Sequence, residues 1–389
     1  MSDAEAKVRA NLAKLVDEHA DDDEVSFLAA QFDLGLAWVH FPEGLGGLGV
    51  SPKLQEIVET KLDQINRRYP WTRNSMGIGM VGPTIAVHGT DEQKKYLKRI
   101  WTAEDIWCQL FSEPGAGSDV AGLATKAERD GDEWVVNGQK VWTSAAHQSR
   151  YGLLIARTNP DVVKHKGITA FLIDMTTPGI DVRPLKQISG TSHFNEVYFT
   201  DARIPASAQI GALGAGWNVA VTTLMNERVS IGGVVEPPGT GPIADALAQW
   251  NKRDDKDPAL RAELMKLYVE SEVLRIGKMR AQQLREKGQP GPEGSVLKLQ
   301  GALLQQRIGS FAVTLAGMNG TLFDYSAGRQ GDRFRDADQF VGSFLGAQSS
   351  TIAGGTSEIM RNILGERVLG LPMEPRADRE LPWSQVPRN

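Results

Sequence analysis

The sequence predicts an α+β protein in three successive parts: an all-α region, a β region and a second helical region. Three observations predict it. The 389 residues are too many for one ordinary core, so two or three compact units are expected. Between Cys108 and about Pro205 the chain consists of short β-branched or apolar runs bounded by Gly, Pro or Asp. On either side the apolar residues recur at helical spacing. The expected divisions are 1–107, 108–205 and 206–389.

The first part opens on MSDAEAKVRANLAKL, a charged, helix-like stretch. Glycines in FPEGLGGLGVS (41–51) break the region into a loop, and Thr90 with Gln93 forms a capping box before DEQKKYLKRIW. In the second part, EWVVNGQKVWTS reads as two strands flanking an Asn137-Gly138 hairpin turn. YGLLIART, GITAFLIDM and NEVYFTDARIP are further strands, and their spacing predicts a small β-sandwich or barrel. In the third part, helical segments near 215–233, 257–287, 294–318 and 356–368 predict a four-helix bundle. VVEPPGTGPI (234–243) and GQPGPEG (288–294) serve as linkers, and no internal repeat is evident.

Composition narrows the function. A hydrophobic fraction of 41%, a charged fraction of 23% and a net charge of −5 describe a soluble globular chain. Without a polybasic block, nucleic acid and anionic membrane are poor partners. No run is long enough to span a bilayer, and no signal-peptide core opens the chain, so a cytoplasmic location is expected. One cysteine, Cys108, excludes an intrachain disulfide, and six scattered histidines form no metal-binding spacing. No catalytic metal is expected, and neither a GxSxG elbow nor a Walker A loop is present.

Four segments could carry chemistry. LFSEPGAGSDVAG (110–122) either is a plain turn or turns its backbone N–H groups toward a phosphate, with Ser118 adding a hydroxyl. KVWTSAAH (140–147) reads as an edge strand with a half-buried Trp142, or as an indole and two hydroxyls walling a flat heterocycle. On the helix through NVAVTTLMNERVSIGG (218–233), Trp217, Ala220, Val221, Leu224 and Ile231 share one face, with Arg228 inside it and Glu227 at its edge. Charges there are costly unless paired or used. Each bridges to a neighbouring helix, or Glu227 is a carboxylate whose raised pKa suits proton abstraction. In TIAGGTSEIMRNILGERVLGLP (351–372), Gly354 and Gly355 precede Thr356, a good N-cap, and Gly370 and Pro372 end the helix. Such a start allows an anion to approach the backbone closely.

The order and wording of LFSEPGAGSD, VNGQKVWTSAAH, MNERV and AGGTSEIMRNILGERVLGLP, with FPEGLGGLG and HGTDEQKKYL before them, closely resemble the acyl-CoA dehydrogenase family over nearly the whole chain. The resemblance implies an N-terminal helical domain, a middle β domain and a C-terminal four-helix bundle. FAD would lie between the last two, completed by a neighbouring subunit in a homo-oligomer, a dimer or tetramer. It implies an acyl-CoA substrate and an electron-transfer flavoprotein as electron acceptor. Carried over by motif, Leu110, Phe111, Ser112 and Gly117 would line the flavin, with Ser112 near its pyrimidine side. Ser118 would touch phosphate or the CoA arm. Trp142 would pack on the ring system, with Thr143 beside it and Ser144 near N5. Gly317, Gly355, Thr356 and Glu358 would serve the adenosine and pyrophosphate end. The backbone N–H of Gly354, with a ribitol hydroxyl, would hold the thioester carbonyl.

Two departures from the family pattern matter. Ala353-Gly354-Gly355-Thr356 lacks the glutamate that many members place before the Gly-Thr of this motif. A second branch, resembling isovaleryl-CoA and long-chain acyl-CoA dehydrogenases, carries its base on the first bundle helix before an arginine. Glu227-Arg228 stands there, so the resemblance makes Glu227 the base and places Arg228 at the substrate. The usual Arg-x-x-Phe-Gly segment that reaches a neighbour's FAD is not evident in PPGTGPIADALAQWNKRDDKDPALRAEL. Two other readings compete with the dehydrogenase. One is a non-catalytic FAD-binding subunit of a hetero-oligomer; the other is a flavin oxidase or monooxygenase on the same scaffold.

Overall fold

The computed structural model describes residues 2–67, 70–232, 235–286, 291–323, 339–376 and 378–387, without the side chains of 228–232, 285, 286 and 339. The chain divides into two compact units. One holds residues 1–185, 193–227 and 377–389; the other holds 186–192 and 228–376.

Among the described residues, the first unit begins with α1 (Asp3–His19), α2 (Glu24–Asp33), α3 (Gln55–Gln64), α4 (Trp71–Met76), α5 (Gly82–His88), α6 (Asp91–Lys94) and α7 (Tyr96–Trp101). Val8, Leu12 and Leu15 of α1 pack on Phe27, Val58 and Leu62 to form a small core of their own. The expected capping box is present: Gln93 N donates to the Thr90 hydroxyl, and Thr90 N donates to the Gln93 side chain. Gln93 also donates to the carbonyls of Ser207 and Gln209, tying the cap to the β region.

Eight strands follow: β1 (Trp107–Leu110), β2 (Lys126–Asp130), β3 (Glu133–Ser144), β4 (Tyr151–Arg157), β5 (Ile168–Asp174), β6 (Ile180–Pro184), β7 (Phe194–Pro205) and β8 (Gln209–Ile210). They form one sheet in the order β6-β7-β3-β2-β4-β5-β8, with β1 parallel to β4. β4 and β5 are buried on both faces, which explains their continuous apolar runs. Leu153 and Ile155 join Trp38, Ile100 and Trp101 on one side, while Leu154 and Ala156 join Trp134 and Phe171 on the other.

The Asn137-Gly138 hairpin is corrected. Glu133–Ser144 is one strand with a register shift between Val136 and Gly138, and the tight turn falls at Gly131-Asp132 between β2 and β3. Gly138 is needed for close approach instead, since a Cβ there would lie 2.5 Å from the Thr125 hydroxyl. Asn137 turns its amide to β7, accepting from Asp201 N and donating to the Asp201 carboxylate.

α8 (Gly216–Gly232) starts within the first unit. In the second unit lie α9 (Pro242–Lys252), α10 (Pro258–Glu286), α11 (Glu293–Ala316), α12 (Gln339–Ala347) and α13 (Ser357–Ile363). α9 and α12 fall where the sequence pattern marks no helix. Ile243 and Ala246 of α9 nevertheless pack with Leu264, Ile308, Phe311 and Val341 in the helical core. Among the described residues, no helix is long and apolar enough to cross a membrane.

Candidate functional site

In the first unit the glycine-rich turn and the end of β3 are joined by a buried cation. Lys140 is fully buried; its ammonium donates to the carbonyl of Phe111 (2.9 Å) and to the carboxylate of Glu113 (2.8 Å). Glu113 also accepts from the amides of Ala124 and Thr125, so one carboxylate holds both ends of the turn. Burial pulls Lys140 below its ordinary pKa, against the opposing pull of Glu113. Burial alone would raise Glu113, but the Lys140 ammonium and these hydrogen bonds outweigh it and hold the carboxyl low. Val141 N donates to the carbonyl of Ser112, bringing the first two sequence motifs side by side. Sequence reasoning missed the pair; the signal available is that Lys140 falls on the same alternation as the buried Trp134 and Val136 of β3.

Leu110 and Phe111 are buried in the core, backbone included, at 0% and 3% exposure. Ser112 is half-buried, and Gly117 and Ser118 are exposed. Added Cβ atoms at Gly115 or Gly117 would meet nothing within 4 Å.

Trp142 lies 61% exposed with φ +60°, a backbone conformation that is strained for a bulky residue. Next to it, Thr143 is buried, and its hydroxyl has no hydrogen-bond partner among the described residues. Asn195, fully buried, donates to the Thr143 carbonyl at 2.9 Å and holds the turn that follows β3. An exposed indole and an open glycine turn fit the aromatic face and the phosphates of a flavin nucleotide. Ser144 closes the strand, half-buried.

On α8 the buried face runs through Gly216, Val219, Ala220 and Thr223. Val221, expected on that face, is exposed, so the stripe is rotated from the sequence reading. The rotation is inexpensive because the Thr223 hydroxyl is satisfied, by Val219 O at 3.0 Å and by the Thr84 hydroxyl of α5 at 2.9 Å. Glu227, one turn beyond Thr223, therefore lies in line with the stripe and is half-buried. The side chains of Arg228 and Ile231 lie outside the described residues.

In the second unit Gly317 ends α11 at φ +59°. Gly354 and Gly355 have φ of +65° and +97°, conformations reserved for glycine, and lead into Thr356. The Thr356 hydroxyl caps α13 by accepting from Ile359 N, as the sequence predicts. Glu358 is exposed and ion-paired with Arg361.

Models of the acyl-CoA dehydrogenase N-terminal, middle and C-terminal domains match residues 2–104, 108–202 and 214–369. The acyl-CoA dehydrogenase FadE34 of Mycobacterium tuberculosis is 38% identical over 370 residues. That match covers 94% of this chain but 49% of FadE34, so the chain spans about half the length of that relative. The acyl-CoA dehydrogenase IpdE1 of the same organism is 36% identical, with 88% of this chain and 86% of IpdE1 covered. The ChsE4–ChsE5 complex from M. tuberculosis superposes with a TM-score of 0.71 at 28% identity, covering 95% of this chain and 97% of the other. The chain belongs to the acyl-CoA dehydrogenase family.

Proposed function

We propose that the protein catalyses FAD-dependent α,β-dehydrogenation of an acyl-CoA thioester, with Glu227 as the base that takes the α-proton. The observation that carries this reading is the position of Glu227 on the buried stripe of α8, where a carboxylate is shielded from water on one side. Bound FAD would supply the acceptor for the β-hydride, with electrons then passing to an electron-transfer flavoprotein. The chain's own contributions are binding, alignment and proton removal. Ser112, Gly117, Trp142, Thr143 and Ser144 would hold the flavin ring, with the backbone of Leu110 and Phe111 behind them. Gly317, Gly355, Thr356 and Glu358 would hold its nucleotide end. Ser118 would receive the CoA arm and Arg228 would meet the substrate. The amide of Gly354 would donate to the thioester carbonyl, favouring the negative charge that develops on its oxygen as the proton leaves.

Anaerobic titration of the yellow protein with a panel of acyl-CoA esters, following loss of flavin absorbance, tests the assignment. Glu227→Gln should slow bleaching by about 10²- to 10⁴-fold with the flavin retained. Unimpaired bleaching by that variant would remove Glu227 as the base.

A second reading, in which this chain is the FAD-binding partner of an active homologue, is favoured by the relationship to a two-protein complex and to a relative twice as long. A chain that purifies alone as a homo-oligomer, retains FAD and bleaches with acyl-CoA excludes it.

A further inference from the structure

The last described residues, 378–387, follow the helical unit in sequence but belong to the first unit. There they lie across the connection between β4 and β5. Trp383 N donates to Val162 O and Ser384 N to Pro160 O, both at 2.8 Å, and Pro382 bridges Val163. The Trp383 indole N–H donates to Gly122 O, at the far end of the glycine-rich turn. Beneath that indole, at 4.7 Å from its ring centre, lies the guanidinium of Arg157, which is itself buried and donates to the carbonyls of Ala121 and Leu123. Lys164 completes the link: its ammonium, largely buried, contacts Asp119 of the turn at 2.8 Å and Asp378 of the tail.

The turn is therefore held at two places. Glu113, backed by Lys140, closes its two ends within the β core; Lys164, Arg157 and Trp383 tie Asp119 and the carbonyls of Ala121, Gly122 and Leu123 to the C-terminal segment. Gly117 and Ser118 lie between these anchors, exposed. Two cations and two carboxylates balance in the outer anchor, so Asp119 stands beside Ser118 without an uncompensated negative charge.

We propose that residues 378–387 form a clasp that positions the turn 117–122, with Lys164 as the positioning residue between them, so that docking of the tail and binding of the anionic CoA arm at Ser118 strengthen one another. This rests on the reading of Ser118 given above. Linkage makes the effect reciprocal: whatever the docked tail adds to CoA affinity, CoA adds to tail docking.

The test uses the full-length, FAD-loaded protein with free CoA and with an acyl-CoA that bleaches it. Trypsin cleavage after the exposed Arg379, followed by mass spectrometry, reports release of the tail. Saturating CoA should slow this cleavage by about fivefold or more. Trp383→Ala, which leaves every charge in place, and Asp378→Asn should each raise KM for acyl-CoA by a similar factor, with kcat and flavin content unchanged. If local charge alone mattered, Asp378→Asn would tighten CoA and Trp383→Ala would do nothing; that pattern overturns the clasp. Cleavage indifferent to CoA in a wild-type protein that still bleaches also overturns it, leaving the dehydrogenase reading intact. Protection by CoA without bleaching sinks the dehydrogenase reading and supports the clasp. Failure of CoA to bind at all overturns both.

Discussion

Lys140 and Glu113 form an ion pair 2.8 Å apart in the core of the β region, with neither side chain more than 7% exposed. Removing one partner strands the other charge in an apolar setting, which costs about 3–5 kcal/mol. Lys140→Met or Glu113→Gln should therefore lower stability by that order in urea unfolding. The double variant Glu113→Gln/Lys140→Met should recover part of the loss, since no buried charge is left uncompensated.

The same pair sets an acid limit. Glu113 is held below its ordinary carboxylate value of 4.5, so the stability it contributes is fully present above that value. It is lost as the pH falls through the lowered, folded-state value. Thermal melts taken from neutral pH down to about pH 3 should show a steeper acid decline in the wild type than in the double variant. Equal slopes would mean that other carboxylates govern the decline.

Gly355 sits at φ +97°, and an added Cβ would lie 2.6 Å from the terminal methyl of Met360. That methyl is the end of a flexible side chain and can move, so the backbone conformation dominates the cost of Gly355→Ala. About 1–2 kcal/mol is expected, through displacement of the turn that leads into the Thr356 cap. If pyrophosphate rests there, the variant also loses flavin on gel filtration, read as the ratio of visible to ultraviolet absorbance. A lower melting temperature with full flavin content would separate the turn from cofactor binding.

What could be read from the sequence followed the range of the forces involved. The Thr90–Gln93 capping box and the Thr356 cap are local hydrogen bonds between residues three apart, and both are present as expected. β4 and β5 stand out as apolar runs because both of their faces are covered. Asn137-Gly138 misled because a glycine required for close approach to Thr125 looks the same in sequence as one required for a turn. The Lys140–Glu113 pair was hidden because its partners are 27 residues apart and meet only once the sheet forms. On α8, scoring threonine as polar put the buried face on Val221, whereas the hydroxyl of Thr223 is satisfied inside the fold.

That hydroxyl yields a further prediction about the base. Thr84 and Thr223 are both fully buried with their hydroxyls 2.9 Å apart; one donates to the other, and the second proton goes to a backbone carbonyl, Met80 O at 2.7 Å or Val219 O at 3.0 Å. The pair pins the rotation of α8 one turn before Glu227, aided by His88, which bonds Thr222 at 2.8 Å. Thr223→Val keeps the side-chain shape and leaves Thr84 its Met80 carbonyl, so the stability cost is about 1 kcal/mol. A small rotation of α8 would misplace the Glu227 carboxylate, and misplacement by about 1 Å can cost 10²-fold in rate. The expected outcome is a fall in kcat of about tenfold or more, KM little changed and flavin content intact, with activity regained in Thr223→Ser. A Thr223→Val enzyme with wild-type kcat would show that α8 is oriented by its other contacts. Lost activity that Thr223→Ser fails to restore would point to packing of the threonine methyl rather than to the hydroxyl pair.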